Sequence, residues 1–372
     1  YTGPESDDII DKIFNKKLAN ERKTWLENYD KTSYLDTSKK SVKYDEFINN
    51  ELIHFSSYDC ARSIPNMVDG LKTSTRKILY SAIKRNLVKE IKVAQFSGYV
   101  SEHSAYHHGE TSLQMAIVGM AQDFVGSNNI NLFLPNGQFG TRLLGGKDSA
   151  SSRYICTALA PVTNDIYKTE DFPLMEFLDD DGYKIEPRFY LPIIPMALIN
   201  GAQGIGTGYS TSIPNHNPKD IIKMIYKKLD GEDISDYEIK PWFRDSKGTV
   251  IKSSKGSGYI TKGKYRILNI TTLEITELPI GVWTEDYKEF LDSILIDTRR
   301  SKLKGLKAGK VTLASKQFLK SYQNHSTESS VRFVLKFSPT VLNNLKNKKT
   351  KDADVNFLEK KLKLTNTKAT NY

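Results

Sequence analysis

Apolar residues recur at helical spacing through the first third of the chain and alternate with polar ones near its end. Ile9, Ile10, Ile13 and Phe14 share a helical face and Lys12 to Trp25 is charged and amphipathic, so residues 1–44 read as a helical lead-in. Ile48, Leu52 and Phe55 line one face of a helix from Tyr44 to Phe55. Pro65 breaks the chain and Asp69-Gly70 turns it. A second helix runs from Thr73 to Ile83, capped by Thr73 or Ser74, with Ile78, Leu79, Ala82 and Ile83 inward. Tyr106-His107-His108-Gly109-Glu110 opens a third, whose buried stripe is Leu113, Ala116, Ile117, Met120, Ala121 and Phe124. The opposite face (Ser112, Met115, Gly119, Gln122) is small and mildly polar, suiting a groove or a helix–helix contact equally. Asn136-Gly137 then sits between apolar flanks, a hairpin signal. Three helices followed by a hairpin is the order of a winged helix, a module that grips duplex DNA.

From Asn217 the pattern becomes regular αβ. Asn217 caps a helix, Pro218 takes its first position, Ile221, Ile222, Ile225 and Leu229 form the stripe, and Gly231 ends it. Strands are expected at Tyr265 to Ile270 and Leu273 to Leu278. A helix from Thr284 buries Tyr287, Phe290, Leu291, Ile294 and Leu295, and Val331, Phe333, Leu335 and Phe337 alternate as a strand. The expected fold class is therefore α+β and multidomain.

Composition adds a partner class and removes several others. The net charge of +10 favours a polyanion. Lys302 to Lys310 and Lys346 to Lys351 are solvated surface or a track for a bent duplex, depending on whether they share a face. Cys60 and Cys156 lie too far apart in sequence for a zinc or redox motif and fit a reducing compartment. The most apolar run, Leu191 to Ile199, is interrupted by Pro192 and Pro195 and is too short to span a bilayer. The chain starts at Tyr1 and not at methionine, and reads as a piece of something longer.

Candidate chemistry narrows quickly. His107-His108 has no partner at zinc spacing. Asp179-Asp180-Asp181-Gly182 reads as a solvated turn in preference to a magnesium site, and no convincing carboxylate pair exists for two metals. Gly140 to Asp148 fails as a phosphate loop because its lysine is displaced and Asp148 stands where Ser or Thr is needed. Gly201 to Gly208 fails as a dinucleotide loop because no helix follows, and it leaves one bulky aliphatic, Ile205, which is either ordinary packing or a wedge between base pairs. Lys72, Arg76 and Lys77 crowd a helix N-terminus that prefers negative charge, which points to a bound anion or to a plain basic face. In Lys147 to Leu159 the pair Arg153-Tyr154 sets a guanidinium beside a phenol. A phenol is a poor nucleophile at neutral pH until something stabilises its oxyanion, and an arginine can do that while neutralising a phosphoryl group under attack.

These pieces together resemble the eukaryotic-type type IIA DNA topoisomerases along nearly the whole chain. The matching stretches include Arg62-Ser63-Ile64-Pro65-Asn66, Asp69-Gly70-Leu71-Lys72, Lys92-Val93-Ala94-Gln95, Tyr106 to Glu110, Phe124 to Asn129, Leu134 to Gly137, Gly146-Lys147-Asp148, Arg153-Tyr154-Ile155 and Asn200 to Gly208. The resemblance implies a winged-helix domain at 46–190 followed by a mixed α/β tower (shoulder) domain at 191–372. Residues 1–45 become a connector trailing from a magnesium-binding toprim module, and that module, the ATPase and the C-terminal gate lie outside the chain. It further implies that Tyr154 forms a 5′-phosphotyrosyl bond, helped by Arg153 and His108. Arg62, Lys72, Arg76, Lys92, Tyr106, His107, Ser112 and Arg142 fall on DNA-contact positions, with Ile205 as the bending wedge. Mg2+ and ATP are expected in the full-length enzyme only, with no metal in this segment. The expected partners are duplex DNA and a second copy of the chain, with no membrane. The expected location is the nucleus, or host cytoplasm or nucleus if the source is a large DNA virus. Ser151 and Ser152 stand where many relatives carry alanine, a tolerable change in a flexible loop, and Asp245 stands where glycine is usual. The competing readings are a non-enzymatic winged-helix DNA-bending protein and a tyrosine recombinase or type IB topoisomerase, which leaves a 3′ linkage.

Overall fold

Three apolar clusters organise the computed structural model, which describes residues 3–296 and 317–372. Lys302 to Lys310 lies outside the described residues. The fold is mixed α/β.

The first cluster gathers Ile13, Trp25, Ile48 and Ile53. They come from α1 (Pro4–Phe14), α2 (Ala19–Glu27), the residue that follows α3 (Tyr44–Phe47), and α4 (Ile53–Ser63). Between α3 and α4 runs a π-helical turn, Ile48–Leu52. Such a turn holds one residue more than an α-turn and rotates everything after it. Ile53 and Ser56 therefore face inward, while Phe55, expected inside, is 63% exposed.

The second cluster is built on α5 (Thr73–Lys84), α6 (Val93–Ser104) and α7 (Glu110–Ala121). The α5 cap differs from expectation: Lys72 is the N-cap residue, and its amide donates to the Thr75 hydroxyl at 2.9 Å. Helix α6 does not stand out in the sequence because two of its buried positions are serines. Ser97 and Ser104 satisfy their hydroxyls on the Ala94 and Val100 carbonyls at 2.8 and 2.6 Å, and so join Val93, Phe96 and Val100 on one face. The α7 stripe appears at Leu113, Ile117, Met120 and Ala121; Phe124 lies past the helix end, edge-on to Trp283.

Asn136-Gly137 does not close a two-residue hairpin. Residues 132–136 pair instead with residues 156–160, through bridges Phe133–Leu159 and Asn136–Cys156, so the intervening loop runs over residues 137–155 and carries Tyr154. Beside it β1 (Ile91–Lys92) pairs antiparallel with β2 (Cys156–Thr157). After α8 (Pro161–Ile166) the hairpin of β3 (Phe177–Asp180) and β4 (Tyr183–Pro187) turns at Asp181, φ 51°. Then follow α9 (Met196–Ile199), the hairpin of β5 (Ala202–Ile205) and β6 (Ser210–Ile213), and α10 (Pro218–Leu229). Asn217 caps α10 by accepting from the Lys219 amide. Of its expected stripe only Ile221 is fully buried, while Ile222 and Leu229 reach the surface. Buried Asn129 ties these pieces: its amide nitrogen reaches the carbonyls of Ile199, His216 and Trp242 at 2.9–3.0 Å, and its oxygen takes the Arg244 amide.

The rest of the chain forms β7 (Thr249–Lys252), β8 (Gly258–Lys262), β9 (Lys264–Asn269), β10 (Thr272–Glu277), α11 (Thr284–Ile294), β11 (Ser321–Asn324), β12 (Phe333–Lys336), α12 (Pro339–Asn347), α13 (Phe357–Lys361) and β13 (Thr365–Ala369). The third cluster gathers buried residues of β10, α11, β12, α12 and α13, among them Leu273, Leu291, Phe333, Leu342 and Leu358. The sheets are antiparallel, ordered β11-β12-β10-β9 and β13-β8-β7. Val331, Phe333, Leu335 and Phe337 are buried as their alternation requires. Asp245 stands at φ 59°, a left-handed position that glycine adopts without strain, which accounts for the glycine usual there. Among the described residues no helix is long and apolar enough to cross a membrane.

Candidate functional site

Tyr154 projects from a loop whose backbone is fixed on both sides. Next to it Ile155 is buried, and Gly137 (φ 117°) lies so close that a β-carbon there would sit 2.9 Å from the Ile155 side chain. The Val93 amide donates to the Ile155 carbonyl at 3.0 Å and the Ala94 amide to the Ser152 carbonyl at 3.1 Å, so the first turn of α6 holds the loop. The Ser152 hydroxyl donates to Gln114 of α7 at 2.8 Å. The Tyr154 ring itself is 74% exposed, with the Arg153 guanidinium 5.9 Å from its centre. An anchored backbone presenting a free phenol beside a permanent cation is what nucleophilic attack on an anionic phosphate requires. Lys92, exposed, pairs with Cys156 across β1–β2, two residues from the phenol.

A second group gathers where α4 meets the start of α7. His108 Nε2 lies 2.8 Å from the Tyr58 hydroxyl, and the Tyr106 ring stands edge-on to the imidazole at 5.3 Å. Partial desolvation, then the nearby charges of Arg62 and Lys77, hold His108 below the usual histidine range, so the ring favours its neutral form. Burial pushes the Tyr106 phenol up, with Arg62 pulling it back. Arg62, His107 and Ser112 are exposed, and His107 lies 3.8 Å from Asp180. No hydrogen bond or ring contact joins Tyr154 to His108 among the described residues. Helix α7 links the two groups, with His108 just before its first turn and Gln114 one turn in.

Ile205 stands at the end of β5, 74% exposed. Its hairpin leans on the C-terminal end of α4: Gly204 lies against Ser63 to Pro65 with no room for a side chain, and Cys60 donates to the Thr207 carbonyl at 3.3 Å. Asn371 pairs with Ser212 on the other edge. The helix that carries Tyr58 and Arg62 therefore also seats the exposed isoleucine.

Two of the expected contact residues are buried and paired within the fold. Arg76 is buried and forks onto Asp69 at 2.8 and 3.0 Å, with a further bond to the Leu71 carbonyl. Arg142 is buried against Glu277, which also accepts from the Lys247 and Leu278 amides. The anion needed at the α5 start is thus the protein's own: Asp69 answers Arg76, and Glu186 answers Lys77 at 2.8 Å. Of that trio only Lys72 makes no ion pair among the described residues, half-buried at the helix cap. Among the described residues no three His, Cys, Asp or Glu side chains group to hold a metal ion.

Residues 62–372 match the DNA gyrase/topoisomerase IV family model, that of the A-type subunit. The chain belongs to the type IIA DNA topoisomerases. Residues 1–60 match the C-terminal associated domain of TOPRIM. The chain is 45% identical to DNA topoisomerase 2 of Plasmodium falciparum over all of its length, which is 25% of that protein. Over 78% of the chain it is 53% identical to DNA topoisomerase 2 of Arabidopsis thaliana, covering 20% of that protein. It also resembles the crystal structure of the Plasmodium falciparum topoisomerase II DNA-binding, cleavage and re-ligation domain, with a TM-score of 0.82 at 45% identity, over 99% of this chain and 47% of that one. The chain thus spans a quarter or less of these curated relatives. In this type IIA chain the sequence reading missed Tyr58, Gln114 and Asn129. Tyr58 and Gln114 carry no local signal, because their partners lie 50 and 38 residues away.

Proposed function

We propose that this chain is the DNA-gate segment of an ATP-dependent type II topoisomerase. Its exposed Tyr154 attacks a backbone phosphate of duplex DNA and takes the 5′ end as a phosphotyrosyl bond. The displaced 3′ oxygen stays as a hydroxyl, and its return attack reseals the strand. Arg153 offsets the charge that builds during transfer, while Arg62 and neutral His108 hold the phosphate. Ile205 enters between base pairs and bends the duplex. Two copies act together, one per strand, so that a second duplex passes the break and DNA is relaxed or decatenated, in the nucleus for a cellular source and in host cytoplasm or nucleus for a viral one.

The same reading assigns residues 46–190 to a winged-helix domain, 191–372 to a tower and 1–45 to a connector from a toprim module. The family's Mg2+ and ATP belong outside this chain. Its own aspartates do not fit the metal: the Asp179 carboxylate accepts from the Gly182 amide inside a turn, and Asp180 faces His107.

One observation carries the proposal, the anchored loop that leaves the Tyr154 phenol free beside Arg153. In the full-length topoisomerase carrying this sequence, Tyr154→Phe should keep DNA binding and lose covalent adducts. Persisting adducts overturn the assignment, and a 3′ linkage favours the recombinase or type IB chemistry.

A further inference from the structure

Tyr58 is the only side chain hydrogen-bonded to His108 among the described residues. Its hydroxyl lies 2.8 Å from Nε2, with the two rings 6.3 Å apart and tilted by 39°. Tyr58 is 51% exposed on α4, so packing alone gives little reason for a large aromatic there. The permanent charges that act on His108 are cationic, those of Arg62 and Lys77. In that field a neutral imidazole is favoured, and it offers one donor and one acceptor nitrogen. Either tautomer can pair with a phenol; with Nε2 as the acceptor, the phenol donates. Nδ1 of His108 then keeps its own hydrogen and makes no hydrogen bond within the described residues.

We propose that Tyr58 is a positioning residue for His108: its hydroxyl donates to Nε2, fixes the tautomer protonated at Nδ1, and leaves that N–H as the donor to a DNA phosphate oxygen. This rests on the reading that His108 acts at the phosphate. Tyr58 touches no reacting atom. Its contribution is to stop the ring from exchanging tautomers and rotating away before DNA arrives, which is how a neighbour of a functional histidine acts. Arg62, one turn along the same helix, supplies the charge that accompanies this donor.

The test is a double-mutant cycle on DNA cleavage in the full-length topoisomerase, joined to ring NMR on this chain. Tyr58→Phe should slow cleavage by about fivefold to tenfold, the worth of one neutral hydrogen bond, with DNA affinity within about twofold. In the His108→Ala background it should have no further effect. Equal slowing in both backgrounds, or none in either, overturns the proposal. In histidine-labelled chain, the wild-type His108 ring should show the tautomer protonated at Nδ1, and Tyr58→Phe should turn it into a mixture. An unchanged tautomer also overturns it. If His108→Ala cleaves at the wild-type rate, the role given to His108 falls and Tyr58's part in the reaction falls with it. A changed tautomer in that case locates the failure in the functional reading and leaves the hydrogen bond standing.

Discussion

The Ser152 hydroxyl donates to the Gln114 side-chain oxygen at 2.8 Å, tying the loop two residues before Tyr154 to α7. Gln114 is itself held, its amide reaching Glu110 at 2.7 Å and Ser97 at 3.3 Å. From sequence, serine in place of alanine reads as a tolerable change in a flexible loop; in the structure it is an anchor. Ser152→Ala should cost about 1 kcal/mol, the usual worth of one such bond, and still form adducts. Thermal unfolding checks this, and an unchanged melting temperature would make the bond idle.

The Arg142–Glu277 pair predicts a larger loss. Both groups are buried, and Arg142 joins the segment preceding Tyr154 to the end of β10. Arg142→Ala strands a buried carboxylate whose remaining partners are two backbone amides, and should cost about 3–5 kcal/mol. Denaturant unfolding measures it. A well-folded, equally stable variant that merely binds DNA less tightly would instead restore Arg142 as a contact residue.

His216 predicts a pH dependence. It is buried, it bonds to the Leu198 carbonyl through Nδ1 at 2.8 Å, and burial holds it below the usual histidine range. The unfolded chain takes up this proton near pH 6.5, the folded chain only at lower pH. The stability it contributes is therefore complete above about pH 6.5 and is lost as pH falls through the depressed folded value. His216→Asn should flatten the change in stability between about pH 7 and pH 5. An equally steep profile in the variant would place the sensitivity elsewhere.

Elements specified within a few residues were legible in the sequence. The Asn217-Pro218 helix start, the α7 stripe and the alternation from Val331 to Phe337 are local patterns, and the structure realises them. The Phe55 face was misread because one extra residue in a π-helical turn leaves no compositional trace. Asn136-Gly137 misled because residues 132–136 found a partner past Tyr154 that local turn chemistry cannot reveal. The same divide runs through the site. Arg153 and Tyr154 are adjacent and could be read directly. The fates of Arg76 and Arg142 depended on which carboxylate folding brings near, and for Arg142 that carboxylate is 135 residues away.

Ile205 offers a test of bending apart from chemistry. Its side chain is exposed on a hairpin held by α4 on one side and Asn371 on the other, so shortening it should leave the fold intact. Ile205→Ala should bend a short duplex less at similar affinity, read as a longer end-to-end energy-transfer distance. Unchanged bending would make Ile205 a surface residue without a part in the DNA gate.

The central claim is that the Tyr154 oxygen becomes covalently joined to DNA. Full-length enzyme would be trapped on duplex DNA, digested with nuclease and protease, and the modified peptide sequenced by mass spectrometry. The account predicts a nucleotide linked through its 5′ phosphate to Tyr154, with a free 3′ hydroxyl on the other side of the break. A nucleotide on any other side chain, or a 3′ phosphate link, would contradict it.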